Sequence, residues 1–212
     1  MNSISVIIPV YQTESQAKAA IQSVLDQHVS IPVEIVVVFD GPSSYVDDIR
    51  ALYPTCTIIE QSHQGVYAAR RNGVQAASGD YVIFLDSDDI LAPRALYTYI
   101  KAYEKSRGEV IIGKVSPVYN KKKWLMPIDD DRYFFYSRTK FNSRHLTTIH
   151  GWMIKKELLQ TLPSLETTWF ADTLIAHTVI SKLTNITSVN YIVYGRNSRS
   201  TPLDGQSLFQ LR

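Results

Sequence analysis

The stretch from Tyr81 to Asp89, YVIFLDSDD, constrains what this chain can fold into more than any other. Five large apolar or aromatic residues stand in a row, two of them β-branched, and the row ends in Asp86, Asp88 and Asp89. Such a run reads as a strand covered on both faces. The carboxylates then lie beyond the strand's C-terminal end, in the crevice where open α/β sheets bind ligands. Like charges this close repel one another, and a divalent cation offsets that cost. Hard oxygen ligands point to Mg2+ or Mn2+, held by one or two carboxylates together with substrate phosphates. The competing reading is a polar turn whose carboxylates cap a helix opening near Pro93. Capping accounts for one aspartate, less readily for two, and poorly for three.

The rest of the first ninety residues supplies the sheet. Ser3 to Val10 is an apolar strand, and Ser15 to Gln27 carries Ala19, Ala20, Ile21, Val24 and Leu25 at helical spacing. Val33 to Phe39 is a second buried strand that stops at the turn signal Asp40-Gly41-Pro42. Tyr45 to Leu52 reads as a short helix, Thr57 to Gln61 as a strand and Tyr67 to Ala77 as a helix broken only by Gly73. This alternation predicts an α/β fold, a single doubly wound, mostly parallel sheet with helices on both faces. Further on, Pro93 to Arg107, Lys155 to Leu162 and Asp172 to Leu183 read as helices, and Val110 to Val118 and Ser188 to Tyr194 as strands. Residues 119–150, with KKKW, DDD and YFFY, resist assignment.

Composition narrows the class. At 212 residues the chain can build one generous core. One cysteine, Cys56, excludes a disulfide framework and a cysteine-rich zinc site, and suits a reducing, cytoplasmic setting. The N-terminus lacks a basic region ahead of its apolar run, so it does not read as a signal peptide. No apolar run approaches the roughly 18 residues needed to span a bilayer, which leaves a soluble protein or one at most peripheral to the inner face of a membrane. The net charge of +2 hides an asymmetry: residues 1–105 carry 7 basic and 12 acidic side chains, and residues 106–212 carry 15 and 8. A basic second half fits an anionic partner such as a polyphosphate, an acidic glycan or a lipid surface, and equally a solvated face without a role. A nucleic-acid partner is not expected.

Three strand tips should meet in one crevice: Pro9-Val10-Tyr11, Asp40-Gly41-Pro42 and Asp86-Ser87-Asp88. Tyr11 offers an aromatic face to a base, Asp40 a carboxylate to a ring N–H or ribose hydroxyl, and Arg70 and Arg71 cationic contacts to phosphate. Taken singly, Tyr11 is better read as core and Asp40 as a turn former; their coincidence at strand ends is what favours a nucleotide. There is neither a G-x-G-x-x-G after the first strand nor a P-loop, which argues against a dinucleotide oxidoreductase and a P-loop enzyme.

Together SVIIPVY, SVLDQ, EIVVVFDG and GVYAARRNGVQAASGDYVIFLDSDD resemble the family 2 glycosyltransferases of the GT-A fold. The likeness is continuous over the first ninety-odd residues and weaker beyond. It implies transfer of a sugar, hexosyl or N-acetylhexosaminyl, from a nucleotide diphosphate donor that is usually UDP-linked. Inversion at the anomeric carbon and a divalent metal on the diphosphate go with it. By position, Pro9 and Tyr11 match the segment lining the base and ribose pocket, with Glu14 nearby, and Asp40 matches the acidic residue that contacts uracil. Arg70 matches the arginine of the A-R-N stretch. Asp86, Ser87 and Asp88 match the DxD motif, the first aspartate near ribose and sugar and the second on the metal. Asp172, in TTWFADTLIAHTV, falls where the family has Glu-Asp ahead of a helix, and so matches the catalytic base.

The chain departs from the pattern at Phe39, at Arg71 in place of the usual Asn, and at Ala171 in place of the common Glu beside the base. It is also short for the family. The resemblance implies one domain over 1–212, with residues 1–105 holding the donor and 106–212 the acceptor and base. The acceptor would be a glycan, a teichoic-acid-like polyol phosphate or a lipid-linked chain, as in cell wall or capsule polysaccharide synthesis.

Other readings stand beside this one. From spacing alone, Asp172 serves equally well as an N-cap. His177, five residues on, does not share its helical face and reads as packing or support behind the site. His145 and His150 lack metal-site spacing and have no expected role. Trp124, Tyr133, Phe134, Phe135, Tyr136 and Trp152 offer stacking faces for acceptor sugars, although core packing explains them better. A non-catalytic nucleotide-sugar or glycan-binding module is the alternative function, mildly favoured by Ala171. A nucleotidyltransferase would want a glycine-rich basic loop where PVYQTES stands.

Overall fold

A computed structural model describes residues 1–117, 133–137, 148–164 and 170–196. One nine-stranded sheet organises them. Strands β1 (Ile4–Val10), β2 (Val33–Asp40), β3 (Thr57–Gln61) and β4 (Tyr81–Phe84) pair in parallel in the order β3-β2-β1-β4. Helices α1 (Glu14–Leu25), α2 (Val46–Leu52) and α3 (Val66–Ala76) connect them. The βα alternation read from the sequence therefore builds this half, and its strand ends all point one way.

Beyond β4 the sheet becomes mixed. β8 (Trp152–Lys155) inserts antiparallel between β4 and β6 (Val110–Pro117), and β9 (Asn185–Arg196) runs parallel to β6. β5 (Ile90–Leu91) and β7 (Tyr133–Ser137) both pair antiparallel with β9. The mostly parallel arrangement thus holds for the first half of the sheet. The helix expected over Lys155–Leu162 is shorter, α5 (Lys156–Leu159): Lys155 is the last residue of β8, and residues 160–161 turn ahead of Pro163.

Helices cover both faces, as the alternation of side chains along each strand requires. Ile4, Val6, Ile8 and Val10 of β1 face α1, α2 and α4 (Ala95–Ser106), where Ile21, Ile49, Leu96 and Tyr99 are fully buried. Ile7, Val36, Val38 and Phe84 face α3, α5 and α6 (Ala171–Lys182), meeting Tyr67, Leu159, Ile175 and Val179. Among the described residues no helix is long and apolar enough to cross a membrane.

Gly73, the breaker inside α3, has a packing reason. A Cβ there would stand 2.4 Å from Ile7 Cγ2 and 3.3 Å from Val38 Cγ2, so the helix lies directly on β1 and β2. Gly73→Ala gains about 1 kcal/mol of helix propensity. It loses about 1–3 kcal/mol to overpacking against a stiff β-branched side chain. The net expectation is destabilisation, read as a lower urea midpoint at unchanged slope.

Candidate functional site

The C-terminal ends of β1, β2 and β4 open into a cavity of about 980 Å³. Pro9, Tyr11, Asp40, Arg70, Asp86, Ser87, Asp88 and Asp172 all line it. Residues separated by most of the chain thus meet in one crevice beyond the strand ends.

Its centre is Arg70, on α3. The side chain is 3% exposed and reaches Asp86 Oδ1 at 2.7 Å through Nη2 and Asp172 Oδ1 at 2.5 Å through Nη1. Burial opposes its charge, but the two carboxylates outweigh that and raise its pKa. Burial likewise works against an ionised Asp86, and Arg70 and His150 reverse it, holding the carboxyl well below the usual carboxylate range. The remaining oxygens face His150. Its Nε2 lies 2.9 Å from Asp86 Oδ2, its Nδ1 3.3 Å from Asp172 Oδ2, and Nδ1 also meets the Thr148 hydroxyl. Burial lowers the affinity of this imidazole for a proton, whereas Asp86 and Asp172 raise it, and the net pKa lies above the ordinary histidine value.

The capping alternatives give way to these contacts. Helix α6 begins at Ala171 behind Phe170, which has φ 60° and supplies no side-chain cap. Asp172 sits inside the first turn, favourably placed for the helix dipole, with its oxygens directed to Arg70, Thr148 and His150. Helix α4 starts at Ala95 behind Arg94, again without a side-chain cap, so the acidic run does not serve it.

The three aspartates of the run have separate surroundings. Asp86 gives both oxygens to Arg70 and His150. Asp89 is 2% exposed and hydrogen-bonded to the buried Tyr194 hydroxyl, which also accepts the Asp86 N–H at 3.0 Å. Asp88 lines the cavity. Ser87 is buried, its hydroxyl 2.5 Å from that of Thr13. Ligand atoms of Asp86, Asp89 and His150 lie within 4.8 Å of one another, a donor set a cation can use.

At the opposite end Tyr11, 47% exposed, stacks on His63 with ring centroids 4.1 Å apart. Asp40 lies beneath them. Its Oδ1 accepts Gln61 Nε2 at 2.9 Å and the Gln64 N–H at 2.7 Å; its Oδ2 accepts the Gly65 N–H at 2.8 Å and faces His63 Nδ1 at 3.0 Å. These four contacts use the four acceptor positions of a carboxylate. Asp40 therefore builds the loop that carries His63 and opens α3, while lining the cavity. Gly65, at φ 90°, makes the turn into α3 that a side chain would strain.

The sequence profile of Glycosyl transferase family 2 matches residues 5–162. The chain belongs to glycosyl transferase family 2. Glycosyltransferase GlyA of Streptococcus pneumoniae is 33% identical over 121 residues, 53% of this chain and 16% of that protein. Poly(ribitol-phosphate) beta-glucosyltransferase of Bacillus spizizenii is 27% identical over 124 residues, 54% of this chain and 19% of that one. The chain thus spans less than a fifth of either relative. S. aureus TarS residues 1–349, solved in complex with UDP-GlcNAc, superposes with a TM-score of 0.77 at 19% identity, over 94% of this chain and 59% of that one. The same TarS fragment with UDP gives 0.78. These structures carry the GT-A fold, and this chain shares it.

In this family 2 chain several sequence expectations need revision. Arg71 does not line the cavity, so the cation expected near the phosphates is Arg70 alone of the pair, and Arg70 is itself committed to two carboxylates. His177 lies exposed on α6, neither packing nor backing the site. Trp152 is buried in the core, as packing predicts. Residues 133–137 form β7, while Trp124 and His145 fall outside the described residues, as does the side chain of Glu14. Ala171 packs in the core, 5% exposed. His150, His63, Thr148 and Tyr194 were not legible as site residues, since none has motif spacing. His150 ends the four-residue segment TTIH, and its partners are 64 and 22 residues away.

Removing the central cation strands two carboxylates. Arg70→Ala should destabilise the protein by on the order of 3 kcal/mol at pH 7, as for other broken buried pairs. Because the native Asp86 carboxyl is held below its unfolded pKa of about 3.9, its stabilisation is complete above that value and is lost as pH falls through the lower native value. The gap between wild type and variant, followed by urea unfolding across pH, should therefore narrow below about pH 4. A gap that stays constant to pH 3 would contradict the pairing.

Proposed function

We propose that this chain is an inverting glycosyltransferase that moves a sugar from a nucleotide diphosphate donor, UDP-linked, to a hydroxyl of an acceptor. The observation that carries the reading is the meeting of Asp86 and Asp172 across Arg70 in one cavity. A donor-side aspartate and a base then face the same reacting centre. TarS, which shares the fold, has been solved with UDP and with UDP-GlcNAc, and supports UDP as the carrier. The named activity of the B. spizizenii relative supports a teichoic-acid-like polyol phosphate as acceptor, with other glycans and lipid-linked chains in the same chemical class.

In this reading residues 1–105 hold the donor and 106–212 the acceptor side of one domain. Pro9, Tyr11 and His63 flank the base and ribose, with Asp40 fixing the His63 loop and Glu14 near the same pocket. Asp86, Ser87 and Asp88 lie under the sugar and diphosphate. Asp88, a hard oxygen donor lining the cavity, would hold Mn2+ or Mg2+. Bound there, a cation would supply positive charge to offset what builds on the leaving diphosphate. Asp172 takes the proton of the acceptor hydroxyl as it attacks the anomeric carbon from the far side. One displacement inverts the centre without a carboxylate nucleophile. Phe170, 79% exposed at the cavity rim two residues before the base, gives an incoming sugar ring an aromatic face.

Calorimetry with UDP-sugars and Mn2+ should detect metal-dependent binding, and UDP release should accelerate when acceptor is added. Asp172→Asn should reduce transfer by about 10²–10⁴-fold, the range for a lost general base, while donor affinity stays within about threefold. Asp88→Asn should instead weaken the metal-dependent part of donor binding. Donor binding without any acceptor-stimulated release would favour a non-catalytic nucleotide-sugar module. Turnover by Asp172→Asn above about a tenth of wild type would remove Asp172 from the base role.

A further inference from the structure

Two nitrogen-bearing side chains stand between Asp86 and Asp172, and they divide the carboxylate oxygens evenly. Arg70 holds Oδ1 of each, at 2.7 and 2.5 Å. His150 faces Oδ2 of each, at 2.9 and 3.3 Å. The four groups close a ring in which carboxylate and nitrogen alternate. Its members come from the end of β4, from α3, from the residues just ahead of β8, and from α6. The ring therefore exists only once β8 has entered the sheet.

We propose that His150 is a positioning residue for sugar transfer: it is the second tie of this ring and sets the orientation of the Asp172 carboxylate. The proposal rests on the reading of Asp172 as the base. A carboxylate held through one oxygen can still turn about that contact. The Arg70 bond to Oδ1 leaves such freedom, and contacts to Oδ2 remove it. Oδ2 accepts the Thr148 hydroxyl at 3.3 Å, and His150 Nδ1, which meets that same hydroxyl, faces Oδ2 at 3.3 Å as a charge contact. The imidazole is itself fixed. Its side chain is 11% exposed, Nε2 is bonded to Asp86, Nδ1 meets Thr148, and Tyr194 packs edge-on at 5.2 Å. Nothing adjacent in sequence substitutes for it, because Ala171 turns a methyl into the core. A base must lie within about an ångström of its working position to be effective, and misplacement of that size costs about 10²-fold in rate.

A different role for the same ring nitrogen is ligation of a cation with Asp86 and Asp89. Three substitutions separate the two. His150→Ala removes both ties. His150→Asn keeps a donor near the Nδ1 position, toward Thr148 and Asp172; His150→Gln keeps one near Nε2, toward Asp86. The positioning role predicts that His150→Ala lowers kcat about 10²-fold, with donor KM and half-saturating Mn2+ within about twofold of wild type. It also predicts that Asn restores more of kcat than Gln. An unchanged kcat in His150→Ala overturns the proposal. So does a tenfold or greater rise in the Mn2+ requirement with kcat recovered at saturating metal, which would make His150 a ligand; the order-of-magnitude cost is that of a lost supporting contact at a metal site.

The ring has a second test that needs no turnover. Urea midpoints of His150→Ala, Asp172→Asn and the double variant should not add, the double being little worse than the poorer single. Additive effects overturn the ring. If His150→Ala does not fold, the Asn and Gln variants carry the same comparison. A wild-type chain inactive on every UDP-sugar defeats the transferase reading, while the stability cycle still decides whether the ring exists.

Discussion

A guanidinium buried between two carboxylates is the constraint on which the site depends. An unpaired charge at that depth costs several kcal/mol, so Arg70 can occupy its place only with Asp86 and Asp172 both present. The reverse also holds, since two carboxylates this close are tolerated because a cation separates them. Arginine suits the position better than lysine would. Its planar fork presents separate N–H groups to two acceptors at once, and it keeps its charge in a desolvated setting. The position of Arg70 is fixed in turn by α3, which Asp40 secures at its first turn through the Gln64 and Gly65 amides and which Gly73 seats on β1.

The sheet explains how that guanidinium meets a carboxylate 102 positions away in sequence. The parallel half directs the ends of β1, β2 and β4 to one side, which is a property of βαβ winding. The mixed half then closes the crevice. β8 enters antiparallel beside β4 and delivers His150 at its head, and β9 sends Tyr194 beneath the acidic turn, where it bonds the Asp86 amide and Asp89. The turn is therefore the joint between the halves. Each of its aspartates faces a different structure: Asp86 the ring, Asp88 the cavity, Asp89 the strand from the far end of the chain.

How much of this was legible follows from where the information lies. Local periodicity located β1, β2, β3, α1 and α3 within a residue or two, because each is a continuous apolar run or a helical stripe. Asp86, Arg70 and Asp172 were found because they fall in recognisable stretches. β5, β7 and β8 were missed: β5 is two residues long, β7 lies in the stretch that resisted assignment, and β8, WMIK, is four residues long and runs directly into KELL. With β8 unseen there was no means of placing His150 beside Asp86. Asp40 shows the opposite case, where the residue was found and its contacts were not. Its carboxylate is directed by the 61–65 loop, whose conformation depends on Gly65 rather than on any periodic signal.

The charge arrangement bears on how a diphosphate is received. Among the described residues lining the cavity, Arg70 is balanced by two carboxylates, His150 faces the same two, and His63 sits against Asp40. Each basic side chain already faces a carboxylate of the protein, and Asp88 adds a further acidic side chain to the lining. A diphosphate entering such a site meets little uncommitted positive charge. Nη1 and Nη2 of Arg70 each hold a carboxylate, so its charge is already balanced within the protein. In the proposed reading a divalent cation held by Asp88 would supply charge where the protein's own cations are occupied in holding the ring. Two tasks would then be divided: the cation would receive the leaving group, and Arg70 would keep Asp172 in register with it.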